Sequence, residues 1–307
     1  MDEDEVVLME LKGMITAMVT PFDKKQKIDV HATKTLVNQL IRSNVSGLFI
    51  IGTNGEFHVM TQEEKLQFAK IVIQETNKRV PVYVGTGGNS TEEVVTLSKE
   101  MEKIGADALS VITPYFLSLN EEELYRHYVT IAEAVSIPIV LYNIPKNTGI
   151  HLSTDLIKRL AKINNIVGIK DSSGDIENIK RYIEATKEDD FSVLSGSDSL
   201  ILKALDAGAT GAIAATSNLL TNIDVSIYQH WLHNERNEAE KAQSSIEELR
   251  RILKLGSTPS VLKKAMEMAG TPVGQARLPV LEPSEAALHE IEIVVNDYLK
   301  KYAKLAN

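Results

Sequence analysis

Up to Ala214 the chain is punctuated by short apolar runs: Met14–Val19, Gly47–Ile51, Val82–Gly85, Ala108–Ile112, Ile137–Tyr142, Ile166–Ile169, Phe191–Leu194 and Gly211–Ala214. None shows the strict apolar–polar alternation of a strand with one wet face, so each reads as a strand buried on both faces. Amphipathic segments separate them. Thr61-Gln62-Glu63-Glu64 and Ser90-Thr91-Glu92-Glu93 are capping boxes, in which a hydroxyl and a carboxylate satisfy the first free N–H groups of a helix. Asp29, Asn120 and Ser153 stand where further N-caps are expected. Strand–helix alternation makes a parallel sheet, and eight repeats predict a closed (β/α)8 TIM barrel. An open doubly wound sheet would carry a glycine fingerprint after its first strand, and Thr20-Pro21-Phe22-Asp23 is not one.

After Ala215 the strand pattern stops. Helices are expected over Asn222–Arg236, Glu238–Leu255, Ser260–Ala269 and Ser284–Tyr302, broken at Gly256-Ser257-Thr258-Pro259 and over Gly270–Pro283. The expected organisation is a barrel core over 10–222, then a barrel-closing helix and C-terminal helical extension over 223–303, as one structural unit. The two ends, Met1–Met9 and Lys304–Asn307, are expected to be mobile.

Composition narrows the function classes. The 307 residues are 43% hydrophobic and 24% charged, an ordinary globular balance. A net charge of -9 argues against a nucleic-acid partner. The opening Met1-Asp2-Glu3-Asp4-Glu5 lacks the basic region of a secretory signal, and no apolar stretch is long enough to span a bilayer. With no cysteine there is no disulfide, thiolate nucleophile or Cys-type zinc site. A cytoplasmic protein without a membrane partner is expected. His230 and His233 have helical spacing but no convergent acids, so they read as a solvated helix face and no metal site is expected.

In such a barrel the chemistry lies at the carboxyl ends of the strands. Lys170 closes the run Ile166–Ile169 and precedes Asp171-Ser172-Ser173-Gly174. An amine taken out of water there can lose its proton and attack a carbonyl; a simple strand exit is the alternative. Gly52-Thr53-Asn54-Gly55-Glu56 can present N–H groups to an anion such as a carboxylate, or be an ordinary turn. Tyr142, one strand from Lys170, can move protons beside it, or be a core tyrosine with its hydroxyl satisfied at the rim. The segment Gly85-Thr86-Gly87-Gly88 lacks phosphate-loop spacing.

Taken with Tyr142-Asn143-Ile144-Pro145, Gly168-Ile169-Lys170 and Ser195-Gly196, the loop at 52–56 resembles the dihydrodipicolinate synthase/N-acetylneuraminate lyase family, over about Gly13 to Tyr302. The resemblance implies a pyruvate-dependent Schiff-base aldolase on a (β/α)8 barrel, a homotetramer or homodimer. It implies Lys170 as the imine-forming lysine, Tyr142 as proton donor and acceptor, and Thr53 as carboxylate ligand and relay. Gly196 and the carbonyl of Ile213 would sit at the imine. No metal or organic cofactor is implied.

Four positions depart from the synthases of that family. Asn147, preceded by Lys146, replaces the arginine that clamps the aldehyde's carboxylate. Phe116 replaces a relay tyrosine given by the neighbouring subunit, with Tyr115 adjacent as a possible substitute. Asn54 replaces a threonine, and Ser172 a small apolar residue. Asn147, Asn54 and Ser172 therefore join Thr53, Gly196 and Ile213 as the expected substrate-binding set. The leading expectation is an aldolase acting on a hydroxylated 2-oxo acid of the 4-hydroxy-2-oxoglutarate or 2-keto-3-deoxy sugar acid type. Dihydrodipicolinate synthase itself is the alternative, and a catalytically silent sugar-acid-binding homologue is a third reading. The synthases' lysine-inhibitor site matches at Asn89 and Glu93, but Phe57, His58 and Lys65 alter it, so no lysine inhibition is expected.

Overall fold

The computed structural model describes residues 11–302, so the expectation for the two chain ends falls outside the described residues. Its eight strands are β1 (Gly13–Ala17), β2 (Gly47–Ile50), β3 (Val82–Gly85), β4 (Ala108–Ile112), β5 (Ile139–Asn143), β6 (Ile166–Asp171), β7 (Ser192–Ser195) and β8 (Gly211–Ala214). Each pairs in parallel with the next, and β8 returns to β1, closing a TIM barrel. The strands are the expected ones with shifted ends. Backbone pairing carries β5 on to Asn143 and β6 on to Asp171, so Tyr142 and Lys170 lie within strands rather than after them.

The helices are α1 (Val30–Arg42), α2 (Gln62–Thr76), α3 (Thr91–Lys103), α4 (Glu121–Ala134), α5 (Pro145–Thr148), α6 (Thr154–Leu160), α7 (Ile176–Thr186), α8 (Ile201–Asp206), α9 (Thr221–Leu232), α10 (Arg236–Ser245), α11 (Glu247–Ile252), α12 (Ser260–Met268) and α13 (Glu285–Lys301). Asp29, Thr61, Ser90, Asn120 and Ser153 all accept first-turn N–H groups. The reciprocal bond, in which the N-cap N–H donates to the third-position glutamate, forms at Thr61 and at Asn120. It is absent at Ser90, where the charge of Glu93 acts on Lys65 instead.

Two expected helices end differently. The one expected over Asn222–Arg236 stops at Leu232; Asn234, at φ 58°, turns the chain, and Arg236 opens α10. The one expected over Glu238–Leu255 is broken at the fully buried Ile246. The break is stabilised from outside, because the Tyr298 hydroxyl of α13 donates to Ser245 O (2.6 Å) and accepts from Leu249 N–H (3.2 Å).

Two apolar regions form the core. The larger lies between sheet and helices. The smaller fills the barrel with side chains such as Phe49, Tyr83, Tyr142, Leu194 and Ile213. Side chains alternate across a strand, so Tyr142 and Lys170 share the inner side, while Asn143 and Asp171 share the outer.

Candidate active site

Register brings the first pair together: Tyr142 of β5 stands opposite Lys170 of β6. Both are about 4% exposed. Lys170 Nζ lies 4.3 Å from the Tyr142 ring centroid and 4.5 Å from that of Phe49. Among the described residues it has no hydrogen bond or ion pair, so its nitrogen is available to a ligand. The next register pair locks the first. Asn143 Nδ2 donates to Asp171 Oδ1 (2.7 Å), and both residues are fully buried. Burial pushes the Asp171 carboxyl up; Ser173, Asn143 and Asn178 oppose this by donating hydrogen bonds to it.

Gly196 follows β7, and its N–H donates to Asp171 O (2.7 Å). A Cβ there would come within 2.9 Å of Lys170 Cε and 2.1 Å of Ser172 Oγ, so only glycine lets the lysine stem pass. Ser172 Oγ donates to Gly196 O (3.1 Å), which leaves the hydroxyl oxygen as an acceptor. Ile213 is buried in the barrel, one residue beyond the Ser195–Ala212 pair and therefore level with Gly196. Asp198, from the turn after β7, accepts the N–H groups of Ala215 and Thr216 just beyond β8 (3.1 and 3.0 Å).

The loop after β2 turns tightly, but its positive-φ residues are not its glycines. The left-handed positions are Ile51 (φ 59°) and Glu56 (φ 60°), not Gly52 or Gly55. The glycines permit close approach: a Cβ on Gly55 would meet Ile51 N at 2.9 Å, and one on Gly52 would meet the Phe49 ring at 2.4 Å. A β-branched residue at positive φ is strained, and such strain persists only where neighbours hold it. The turn leaves the N–H groups of Thr53 and Asn54 without partners among the described residues, as an anion would need. Thr53 Oγ1 lies 3.4 Å from the Tyr142 hydroxyl.

Thr53 also lines a cavity of about 370 Å³, with Ile112, Tyr115, Asn147, Thr148 and Thr258. Neither Lys170 nor Tyr142 lines it; Thr53 connects the two regions. Tyr115 is held there by its N–H to Asn89 Oδ1 (2.8 Å), whereas Phe116 (φ 86°) is 92% exposed. Lys146 is exposed and does not line the cavity. His58 does, and burial shifts it towards its neutral form. Thr258, from the segment before α12, is a lining residue that sequence reasoning missed. It carries no local motif and arrives from the far end of the chain.

The arrangement combines an unpaired buried amine, a phenol joined to a threonine, and a turn with free N–H groups. It is suited to imine chemistry on a 2-oxo acid. The dihydrodipicolinate synthetase family model matches residues 10–297. The chain belongs to that family. It is accordingly an enzyme, a class I aldolase of the lyase class. A 4-hydroxy-tetrahydrodipicolinate synthase of Oceanobacillus iheyensis is 35% identical, over 94% of this chain and 98% of its own. The dihydrodipicolinate synthase structure from Bacillus anthracis superposes with a TM-score of 0.91 at 35% identity, covering 94% of this chain and 99% of the other. A prophage protein of the family from E. coli K12, solved with pyruvate, does so with a TM-score of 0.91 at 30% identity, covering 94% and 99%. Relatives of this kind favour the synthase reaction, the alternative in the sequence analysis, over cleavage of a hydroxylated 2-oxo acid.

Proposed function

We propose that this family member forms an imine between Lys170 and pyruvate, and makes or cleaves a carbon–carbon bond through the derived enamine. Lys170 Nζ attacks the 2-oxo carbon and water leaves. The N–H groups of Thr53 and Asn54 hold the carboxylate, with Gly196 and the carbonyl of Ile213 beside the imine. Tyr142, with Thr53, takes the proton from the pyruvyl methyl group and returns it to the new hydroxyl. The iminium is itself the electron sink, so the reading calls on no metal or organic cofactor. It carries with it a cytoplasmic location and a homotetramer or homodimer.

For the aldehyde half, the supporting observation is that no lysine or arginine is among the described residues lining the cavity. Asn147 lines it where the family's synthases carry an arginine. A charge-assisted clamp is worth about 1.5–3 kcal/mol per hydrogen bond, one to two orders of magnitude in specificity. The pocket therefore suits an uncharged hydroxylated aldehyde, as released from a 2-keto-3-deoxy sugar acid; Ser172, bonded to Gly196, and Asn54, next to Thr53, are the hydroxyl contacts proposed beyond its lining. The second reading is the synthase reaction with aspartate semialdehyde, favoured by the names of the relatives.

Two measurements test this. Borohydride with pyruvate should leave one reduced adduct, on Lys170; an adduct on another lysine ends the mechanism, and none at all would favour a silent homologue. The kcat/KM for cleaving 2-keto-3-deoxygluconate should exceed that for condensing pyruvate with aspartate semialdehyde by at least about tenfold, with Asn147→Arg narrowing the gap. The opposite ratio would put the synthase reading in its place.

A further inference from the structure

We infer that Lys263 is a positioning residue for this active site: from the C-terminal extension it fixes, through Glu56, the loop that presents Thr53. The inference rests on the pyruvate-aldolase reading of that loop and adds a part to it. Lys263 of α12 and Glu56 are each about 1% exposed, with Nζ and Oε1 2.6 Å apart. Lys263 Nζ also donates to Gln275 O (3.1 Å) and lies 4.4 Å from the centre of the Phe22 ring. The second oxygen of Glu56 accepts the N–H of Arg277 (2.7 Å). Two charges this deeply buried hold each other in place, because neither has water to turn to. Burial pushes the Lys263 ammonium down, and the Glu56 carboxylate opposes it.

From Glu56 a chain of contacts reaches the reacting groups. Its N–H donates to Thr53 O (3.2 Å), and Thr53 Oγ1 faces the Tyr142 hydroxyl at 3.4 Å. Glu56 is itself one of the two left-handed positions that shape the loop, so its side-chain anchor sets the backbone there. On one side Thr20 Oγ1 donates to Gly55 O (2.7 Å). On the other, Arg277 donates to Val59 O (3.1 Å) and binds both oxygens of Glu64 (2.8 and 2.7 Å). Neither Lys263, Glu56 nor Arg277 lines the cavity, so their influence runs through the loop and not through contact with substrate. The helix that carries Lys263 follows directly on Thr258, which does line it. One anchor thus places both Thr53 and an aldehyde-side contact.

The test compares Lys263→Met with the double variant Glu56→Gln/Lys263→Met, in the full-length enzyme. Thermal melting, kcat and KM for pyruvate, and the rate of borohydride-trapped adduct formation are measured on each. Lys263→Met should lower both the melting temperature and kcat/KM for pyruvate, the latter by about 10–100-fold, the scale expected for small misplacement of catalytic groups. The double variant leaves no buried charge unpaired. It should regain melting temperature but not kcat/KM. If it regains both, or if folded Lys263→Met keeps wild-type kcat/KM, the pair merely holds the extension on the barrel and the inference is overturned. Should Lys263→Met fail to fold, the double variant alone decides between these outcomes. Thr53→Val separates the two levels of argument. Wild-type kinetics in that variant would undo the reading of the loop itself, whereas impaired Thr53→Val with unaffected Lys263 variants would undo only the positioning role.

Discussion

Tyr142 and Lys170 meet because two strands are in register, and the buried Asn143–Asp171 hydrogen bond on the outer side of the sheet keeps them so. Tyr142→Phe retains the ring packed edge-on against Phe49 but removes the proton. General acid–base help is worth about 10²–10⁴-fold, and kcat should fall by that order with imine trapping slowed but present. Near wild-type turnover would shift the proton-transfer role to Tyr115. His127 of α4 gives a second expectation at this scale. Its Nδ1 faces Thr91 Oγ1 at 2.8 Å, its Nε2 is buried without a partner among the described residues, and burial lowers its pKa to about 4. Between there and the unfolded value of 6.5 the unfolded chain binds more protons, so stability is full above that window and falls as pH drops through it. The raised carboxyls of Asp171 and Asp224 slope the other way, so the comparison must be with a variant. Urea unfolding should show the wild type losing about 3 kcal/mol relative to His127→Gln between the ends of that window. Parallel pH profiles for the two proteins would refute the assignment.

At the scale of elements, capping and strain explain what the local pattern could and could not announce. The N-caps of α1, α2, α3, α4 and α6 were legible because capping is a contact between residues a few positions apart. The loop after β2 was legible as a turn, but not in its geometry. Its left-handed residues are an isoleucine and a glutamate, which no local rule would choose, and the glutamate is held by distant groups, Lys263 and Arg277. The space between that loop and α3 bears on regulation. Lys65 of α2 lies 5.6 Å from the Phe57 ring, is pushed towards neutrality by burial, and faces the charge of Glu93. Asn89 is already engaged with Tyr115. A cationic amino acid entering here would meet Lys65, which already shares the field of Glu93. Calorimetry should therefore detect no saturable lysine binding at millimolar concentrations, and lysine should leave turnover unchanged. A saturable isotherm would contradict this.

At the scale of the whole molecule, Phe116 and Leu117, which follow the cavity-lining Tyr115 in the chain, are 92% and 65% exposed. Phe116 is held at φ 86°, a conformation that costs energy unless something fixes it. The family resemblance implies that the residue at this position is the one given to a neighbouring subunit's site. Sedimentation of the wild type should accordingly give a dimer or a tetramer, and Phe116→Asp should shift it towards monomer and lower turnover with it. A monomeric wild type with full activity would remove the neighbour from the account. Among the described residues, no helix is long and apolar enough to cross a membrane.

The chain's own pattern determined the closed barrel, because doubly buried strands alternating with capped helices leave few other ways to cover both faces of a sheet. It also determined where chemistry should be sought, because side chains at the carboxyl ends of parallel strands converge. Lys170 and Tyr142 stand there as candidates, each with a plain structural alternative, and the family resemblance supplied the roles expected of them. What it could not supply were contacts made across long separations. The break in the helix expected over Glu238–Leu255 depends on Tyr298, the lining of the cavity on Thr258, and the shape of the Thr53 loop on Lys263 and Arg277. These residues sit in ordinary helical or loop sequence. They acquire a role only when the C-terminal extension folds back on the barrel, where burial removes water and leaves each charge or hydroxyl only the partner that the fold provides.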